Sequence, residues 1–254
     1  MINEDYREYV NRKIKIERQI KSSEDRNTYD EVFDKRTLLA FYYLFNHGIL
    51  DTLNYSISTG KEANVFIGKK DEKSYAVKVY RTSNANFKAI INYIEGDYRF
   101  DKVKKTKDNI IYLWAQKEFK NLEIMHKFHV HVPKPIISYQ NILIMQYLGT
   151  SKSSAPILKD LKLENPANVF EEVKKSILLI VNRAKLVHSD LSEYNILYYR
   201  KLPYIIDVGQ SVPLTHPLAI EFLRRDIENI VKYFNKYGLE IKENEIFKEL
   251  KLGD

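Results

Sequence analysis

His188-Ser189-Asp190-Leu191-Ser192-Glu193-Tyr194-Asn195 is followed twelve residues after Asn195 by Asp207-Val208-Gly209, and these two stretches decide how the rest of the chain reads. The first fits H-x-D-x-x-x-x-N, where a carboxylate lies near an attacking hydroxyl and an amide oxygen five residues on holds a metal. The second takes the place of a D-F-G triplet, whose aspartate holds Mg²⁺ against phosphates. Mg²⁺ takes few carboxylates beside phosphate and water, so one Asp and one Asn suffice. Alone, His-x-Asp is commonly structural and Asp-x-Gly is commonly a turn. In this order, at this spacing and each beside apolar strand-like residues, they predict an ATP phosphoryl-transfer site.

Working outward, Lys78 lies within the β-rich run Ser74-Tyr75-Ala76-Val77-Lys78-Val79-Tyr80. A lysine head there must snorkel or find an anion. On a helix read from about 108 to 128, Ile111, Trp114, Glu118, Leu122 and Met125 share a face. A glutamate in an apolar stripe is costly unless paired, and Lys78 is its natural partner; a misjudged helix phase is the alternative. On a helix read over 217–234, Ala219, Phe222, Asp226 and Ile230 share a face. A buried Asp226 could accept backbone N–H groups of the catalytic loop, as a support rather than a chemical residue. Ser58-Thr59-Gly60-Lys61-Glu62-Ala63 lies between two predicted strands; its single glycine permits close backbone approach to phosphate, and the G-K-[ST] ending of a Walker A loop is absent.

The chain has 254 residues, of which 44% are hydrophobic, enough for a sizeable core and against global disorder. With no cysteine, disulfides, thiolate metal sites and cysteine nucleophiles are excluded. The polar stretch from Met1 to Lys21 is no signal peptide, and no apolar run is long enough to span a bilayer, so a cytoplasmic, membrane-free protein is expected. The net charge of +7 suits a polyanionic partner such as RNA, or is simply a solvated basic surface. Residues 1–50 read as a helical extension, basic at Arg12, Lys13, Lys15, Arg18 and Lys21. Residues 51–146 read as a β-rich lobe holding one helix, with a mobile insertion near 82–107 that carries Lys102, Lys104, Lys105 and Lys107. Residues 147–254 read as a mainly helical lobe. Two unlike lobes joined at one crossing favour a ligand cleft.

The stretches then make a specific match. Ser58 to Phe66 resembles the S-T-G-K-E-A-N-V-[YF] signature of the type-1 branch of the RIO family of atypical serine protein kinases, archaeal-like in its short length. Val187–Leu197 resembles that family's catalytic loop, which usually has Ala at the place of Ser189, and Ile206–Val212 resembles its metal-binding loop. Tyr80–Ser83, Gly96–Phe100 and His216-Pro217 also match, so the resemblance runs from about Ser56 to Val231. It implies an α+β, bilobal protein-kinase-like fold with a truncated C-lobe. It also implies roles. Lys78 would hold ATP phosphates, Glu118 would orient Lys78, and Asp190 would be the base or orient the nucleophile. Asn195 and Asp207 would hold Mg²⁺ or Mn²⁺. Ser58, Thr59, Gly60, Lys61 and Glu62 would lie at the phosphates, with Glu193 also at the nucleotide. Met145 would sit behind the adenine, with the backbone of Gln146 and Leu148 bonding it. Partners implied are ATP and a precursor of the small ribosomal subunit, rRNA and proteins included, with no DNA.

Only 47 residues follow Asp207, with no A-P-E motif, and Ser189 stands where H-R-D has its phosphate-receiving arginine. That leaves little room for an activation loop or peptide-docking lobe. Two functions stay open: a serine/threonine kinase capable of autophosphorylation, and an ATPase-driven switch on a pre-ribosomal particle. An inactive nucleotide-binding scaffold is disfavoured by the full catalytic set.

Overall fold

The β-branched and aromatic runs become strands in the computed structural model, which describes residues 5–14, 33–60, 62–82, 87–100, 106, 109–151 and 153–252. Lys15, Arg18, Lys21, Lys61, Ser83 and the cluster Lys102, Lys104, Lys105 and Lys107 lie outside the described residues. The chain divides into two compact units. The first comprises Met1–Phe87, Lys104–Phe119 and Pro135–Tyr147; the second comprises Lys88–Val103, Lys120–Lys134 and Leu148–Asp254.

In the first unit, β1 (Thr52–Thr59), β2 (Ala63–Lys70), β3 (Lys73–Tyr80), β4 (Pro135–Tyr139) and β5 (Ile142–Gln146) form one antiparallel sheet ordered β1-β2-β3-β5-β4. The helices α1 (Asp5–Lys13) and α2 (Lys35–Asn46) cover it. Val10, Phe41, Leu44, Leu53, Val77, Val79 and Ile142 are fully buried in the shared core, and removing that apolar area from water is the main stabilising term. Asp34 caps α2 by accepting the Thr37 N–H at 2.8 Å. Buried Asn141 donates to the Thr37 hydroxyl (2.8 Å) and to the Tyr80 carbonyl (2.9 Å), tying the helix start to the end of β3. Gly68 is required by space: a Cβ there would lie 2.6 Å from Val77 Cγ2 and 2.9 Å from Leu50 Cδ2.

The second unit is mainly helical, with α5 (Pro166–Asn182), α6 (Ala219–Asn235) and α7 (Glu243–Lys248), the hairpin β7 (Ile196–Tyr199)–β8 (Leu202–Ile205) and the short pair β6 (Leu186–Val187)–β9 (Val212–Pro213). The apolar stripe of α5, including Val173, Ile177 and Ile180, is buried. So is the predicted stripe of α6: Ala219, Phe222, Asp226 and Ile230. Helix α4 (Ile110–Lys127) gives its first ten residues to the first unit and the rest to the second. Ile111, Trp114, Glu118, Leu122 and Met125 are all buried, as the stripe predicts.

Part of the segment expected as a mobile insertion is structured. Helix α3 (Phe87–Ile94) and a short 3₁₀ turn at Tyr98–Phe100 lie within 82–107, with Ile90, Ile94 and Phe100 buried. Polar composition hid their apolar period. Residues 88–103 belong to the second unit, where the Tyr93 ring lies 5.7 Å from that of Phe222 and His216 Nε2 is 2.9 Å from the Glu95 carbonyl. Gly96 (φ +84°) lies so close to Pro217 that a Cβ would come within 2.9 Å of it.

Candidate active site

The first unit holds a buried ion pair. Lys78 sits on β3 between the fully buried Val77 and Val79, facing Val65 of β2 and Leu143 of β5 across the ladder. Its ammonium lies 2.9 and 2.8 Å from the two carboxylate oxygens of Glu118 on α4. Their side chains are 11% and 1% exposed, so the anion partner asked for by the apolar stripe is present. The Tyr80 hydroxyl donates to Glu118 Oε2, and the Lys78 ammonium lies 5.3 Å from the Tyr80 ring centre. At the end of β1, Ser58 pairs with Val65 and Thr59 with Asn64. The Gly60 N–H donates to the Ala63 carbonyl (2.9 Å), closing a tight tip whose described residues Ser58, Thr59, Gly60 and Glu62 are exposed. A further bond from the Arg81 N–H to the Glu62 carbonyl (2.9 Å) ties this tip to the end of β3. Met145, buried, and Gln146, partly buried, end β5 opposite Ala76 and Tyr75.

The second unit holds the carboxylates. Asp226, buried on α6, accepts the N–H of Ser189 through Oδ2 and that of Leu191 through Oδ1, each at 2.8 Å. These two bonds bracket Asp190 and hold the loop from both sides. Ser189, the first of the two donors, has φ 74°, a left-handed reversal. Arg225 donates to the Ser189 carbonyl (2.6 Å) and Asn229 to the Leu191 carbonyl (3.2 Å), so one face of α6 positions three consecutive loop residues. The Asp190 N–H donates to His188 Nδ1 (3.3 Å), which makes Nε2 the protonated nitrogen facing the Ile206 carbonyl at 3.1 Å. Asn195 turns its amide nitrogen to the Asp190 carbonyl (2.8 Å), which leaves Oδ1 as its acceptor end. Asn195 Nδ2 and Gln210 Nε2 each lie 3.4 Å from Asp190 Oδ2. Asp207 is exposed and left-handed (φ 60°, ψ 50°) at the head of a short 3₁₀ turn, Val208–Gln210. Glu193 accepts from Lys236 at 3.4 Å, and the Leu148 carbonyl accepts the Ala155 N–H at 2.9 Å.

Burial raises the Asp190 carboxyl above the ordinary aspartate value, with the Asp207 carboxylate adding to it; Arg225 and the Asn195 amide act against the rise. Burial likewise pushes Asp226 up to about 6, against the two N–H bonds that favour its ionised form.

Of the residues singled out from sequence, Ser58, Thr59, Gly60, Glu62, Lys78, Glu118, Met145 and Gln146 fall in the first unit. Leu148, Asp190, Glu193, Asn195 and Asp207 fall in the second; Lys61 lies outside the described residues. Sequence reasoning passed over Asn121, which is fully buried and donates to the carbonyls of Val208 (2.7 Å) and Ser211 (3.1 Å). It also gave no role to Tyr80, Arg225 and Ser211, whose hydroxyl reaches the His188 carbonyl at 3.2 Å. A buried asparagine on the α4 stripe, one turn beyond Glu118, was the available signal.

A family model described as the RIO domain matches residues 64–246. The chain belongs to the RIO family of atypical kinases, in its Rio1 branch. It is 38% identical over 237 residues to the RIO-type serine/threonine-protein kinase Rio1 of Haloferax volcanii, covering 92% of this chain and 81% of that one. It is 40% identical over 188 residues to Rio1 of Thermoplasma acidophilum, covering 74% of this chain and 98% of that one. Against the human serine/threonine-protein kinase RIO1, identity is 37%, covering 87% of this chain but 40% of the longer human one. Among solved structures, the Rio2 kinase of Chaetomium thermophilum in an ADP/Mg²⁺-phosphoaspartate complex superposes with a TM-score of 0.64 at 19% identity, covering 89% of this chain and 75% of that one. At that identity the likeness speaks to fold alone: the bilobal, protein-kinase-like fold of RIO enzymes. Among the described residues no helix is long and apolar enough to cross a membrane.

Proposed function

We propose that this RIO-type enzyme transfers the γ-phosphoryl group of ATP to serine or threonine hydroxyls, its own included, and acts in maturation of the small ribosomal subunit in the cytoplasm. The observation that carries the chemistry is the Asp190 loop, whose neighbours on both sides are pinned to Asp226 while Asn195 is turned onto the Asp190 carbonyl.

In this reading the acceptor oxygen attacks phosphorus as the bond to the bridging oxygen of ADP breaks. Asp190 orients the hydroxyl and receives its proton. Its raised carboxyl makes it a better proton acceptor than an ordinary aspartate. Lys78, held in place by Glu118, takes charge from the α- and β-phosphates, and the tip carrying exposed Ser58, Thr59, Gly60 and Glu62 covers phosphate with main-chain N–H groups. Met145 lies behind the adenine, with the main chain of Gln146 and Leu148 on its edge and Glu193 beside the nucleotide. The donor set fits a hard cation: Asn195 presents an amide oxygen and Asp207 an exposed carboxylate. Bound Mg²⁺ or Mn²⁺ would neutralise phosphate charge.

A second reading has the chain work as an ATPase-driven switch on a pre-ribosomal particle, with phosphate passing to Asp207. Its support is the exposed Asp207 and the phosphoaspartate named in the solved Rio2 complex. Following γ-labelled ATP separates the two. Acid-stable label on hydroxyl residues, reduced about 10²–10⁴-fold in Asp190→Asn with ATP binding kept, is the expected result. Free phosphate with alkali-labile label lost in Asp207→Asn favours the switch. Wild-type turnover in Asp190→Asn sinks the catalytic assignment in both.

A further inference from the structure

The hairpin β7–β8 plays no part in the chemistry above, yet its outward face and tip are unusual. By its register, Leu197, Tyr199, Leu202 and Tyr204 share one face, opposite the face carrying buried Ile196, Pro203 and Ile205. The Tyr204 ring stacks on His131 (5.4 Å, 27°) and meets Tyr199 edge-on (5.9 Å). The Arg200 guanidinium lies 5.2 Å from the Tyr199 ring centre. His131 is fixed there because its carbonyl accepts the Ile205 N–H at 2.8 Å. The result is a row, His131–Tyr204–Tyr199–Arg200, of partly exposed rings ending in a cation.

The tip is the second observation. Arg200 and Lys201 form the two-residue turn, both exposed and both left-handed (φ 51° and 65°). A turn with positive φ at both centres favours Asn-Gly, because a Cβ is strained there. This turn instead carries two cations at a conformational cost. The loop leading to His131 repeats the feature at exposed His129 (φ 61°).

We infer that this ribbon is a docking surface for single-stranded RNA, with bases stacking on Tyr199, Tyr204 and His131 and phosphates meeting Arg200 and Lys201. Rings beside cations, rather than cations alone, are what unpaired bases and their backbone require. The choice of RNA rests on the ribosomal-precursor part of the proposed function; the nucleotide chemistry is separate from it.

The test uses the full chain and a short fluorescent single-stranded RNA, read by anisotropy over a salt series without ATP. The double variant Arg200→Asn, Lys201→Gly installs the favoured turn. Its Tm should stay level or rise while RNA affinity falls about tenfold and the salt slope drops by about 1.4. Tyr199→Leu keeps apolar cover and should lose about fivefold with the slope unchanged. Unchanged affinity in both variants overturns the proposal, as does a fall in Tm of the double variant. Equal competition by duplex RNA or an acidic peptide also overturns it, since any polyanion would then serve. Turnover of γ-labelled ATP should be unaltered in all three proteins. Its loss in either variant would show that the hairpin, which joins Asn195 to Asp207, also supports the catalytic loops; the affinity measured without ATP decides the ribbon.

Discussion

Lys78 in the first unit and Asp190 in the second are held in opposite ways. Lys78 is placed by another side chain: one carboxylate, Glu118, meets its ammonium and the Tyr80 hydroxyl. Asp190 is placed by main chain: the N–H groups on either side of it end on Asp226. Parting the side-chain pair leaves Lys78 some solvent contact and Glu118 the Tyr80 hydroxyl. Losing the single acceptor of two buried main-chain donors leaves both without a partner. One anchor is therefore adjustable and the other is fixed.

The largest effect tests the fixed anchor. Asp226→Leu strands two buried N–H donors and should cost about 2–6 kcal/mol in urea unfolding, with transfer abolished. If stability holds, the loop has another support and the contrast fails. Next comes pH. The Asp226 carboxyl is raised from 3.8 to about 6 in the folded chain. Its contribution is therefore full below about pH 4 and is lost as pH rises through 6, a change of roughly 3 kcal/mol. Unfolding midpoints from pH 4 to 7 should show this fall, and Asp226→Asn should flatten it. Glu118→Gln should be milder, about 2 kcal/mol, because Lys78 keeps some solvent contact, and should weaken ATP affinity more than it slows turnover at saturation. A loss as large as that of Asp226→Leu would mean the two anchors are alike. Smallest is Tyr80→Phe, about 1 kcal/mol, which removes one donor to Glu118; measured on top of Glu118→Gln, whose amide oxygen is a weaker acceptor, it should add less than it costs alone.

Legibility in the sequence followed the same division. Glu118 and Asp226 stood out because each interrupts an apolar helical stripe, so local periodicity marked them as buried acids in need of partners. Lys78 was found by its apolar strand neighbours. Asn121 was not found: its partners are carbonyls 87 and 90 residues away, and main-chain acceptors leave no residue-type pattern. Arg225 and Asn229 were hidden likewise, since a polar residue beside a buried stripe reads as solvated. The α3 helix was missed because the charged residues around it masked the apolar period of Ile90 and Ile94. The hairpin tip gave no turn signal, because Arg-Lys is not a pair that turn chemistry favours.

The left-handed backbone of Asp207 bears on how mutational scans of this protein will read. Alanine there would remove the carboxylate and also the short polar side chain that lets aspartate tolerate a conformation costing other L-residues about 1–2 kcal/mol, so two losses would be counted as one. Asparagine tolerates that conformation and changes only charge, while glycine relieves the backbone and removes the side chain outright. Comparing these two replacements, rather than consulting an alanine library, separates what the residue's shape does from what its charge does.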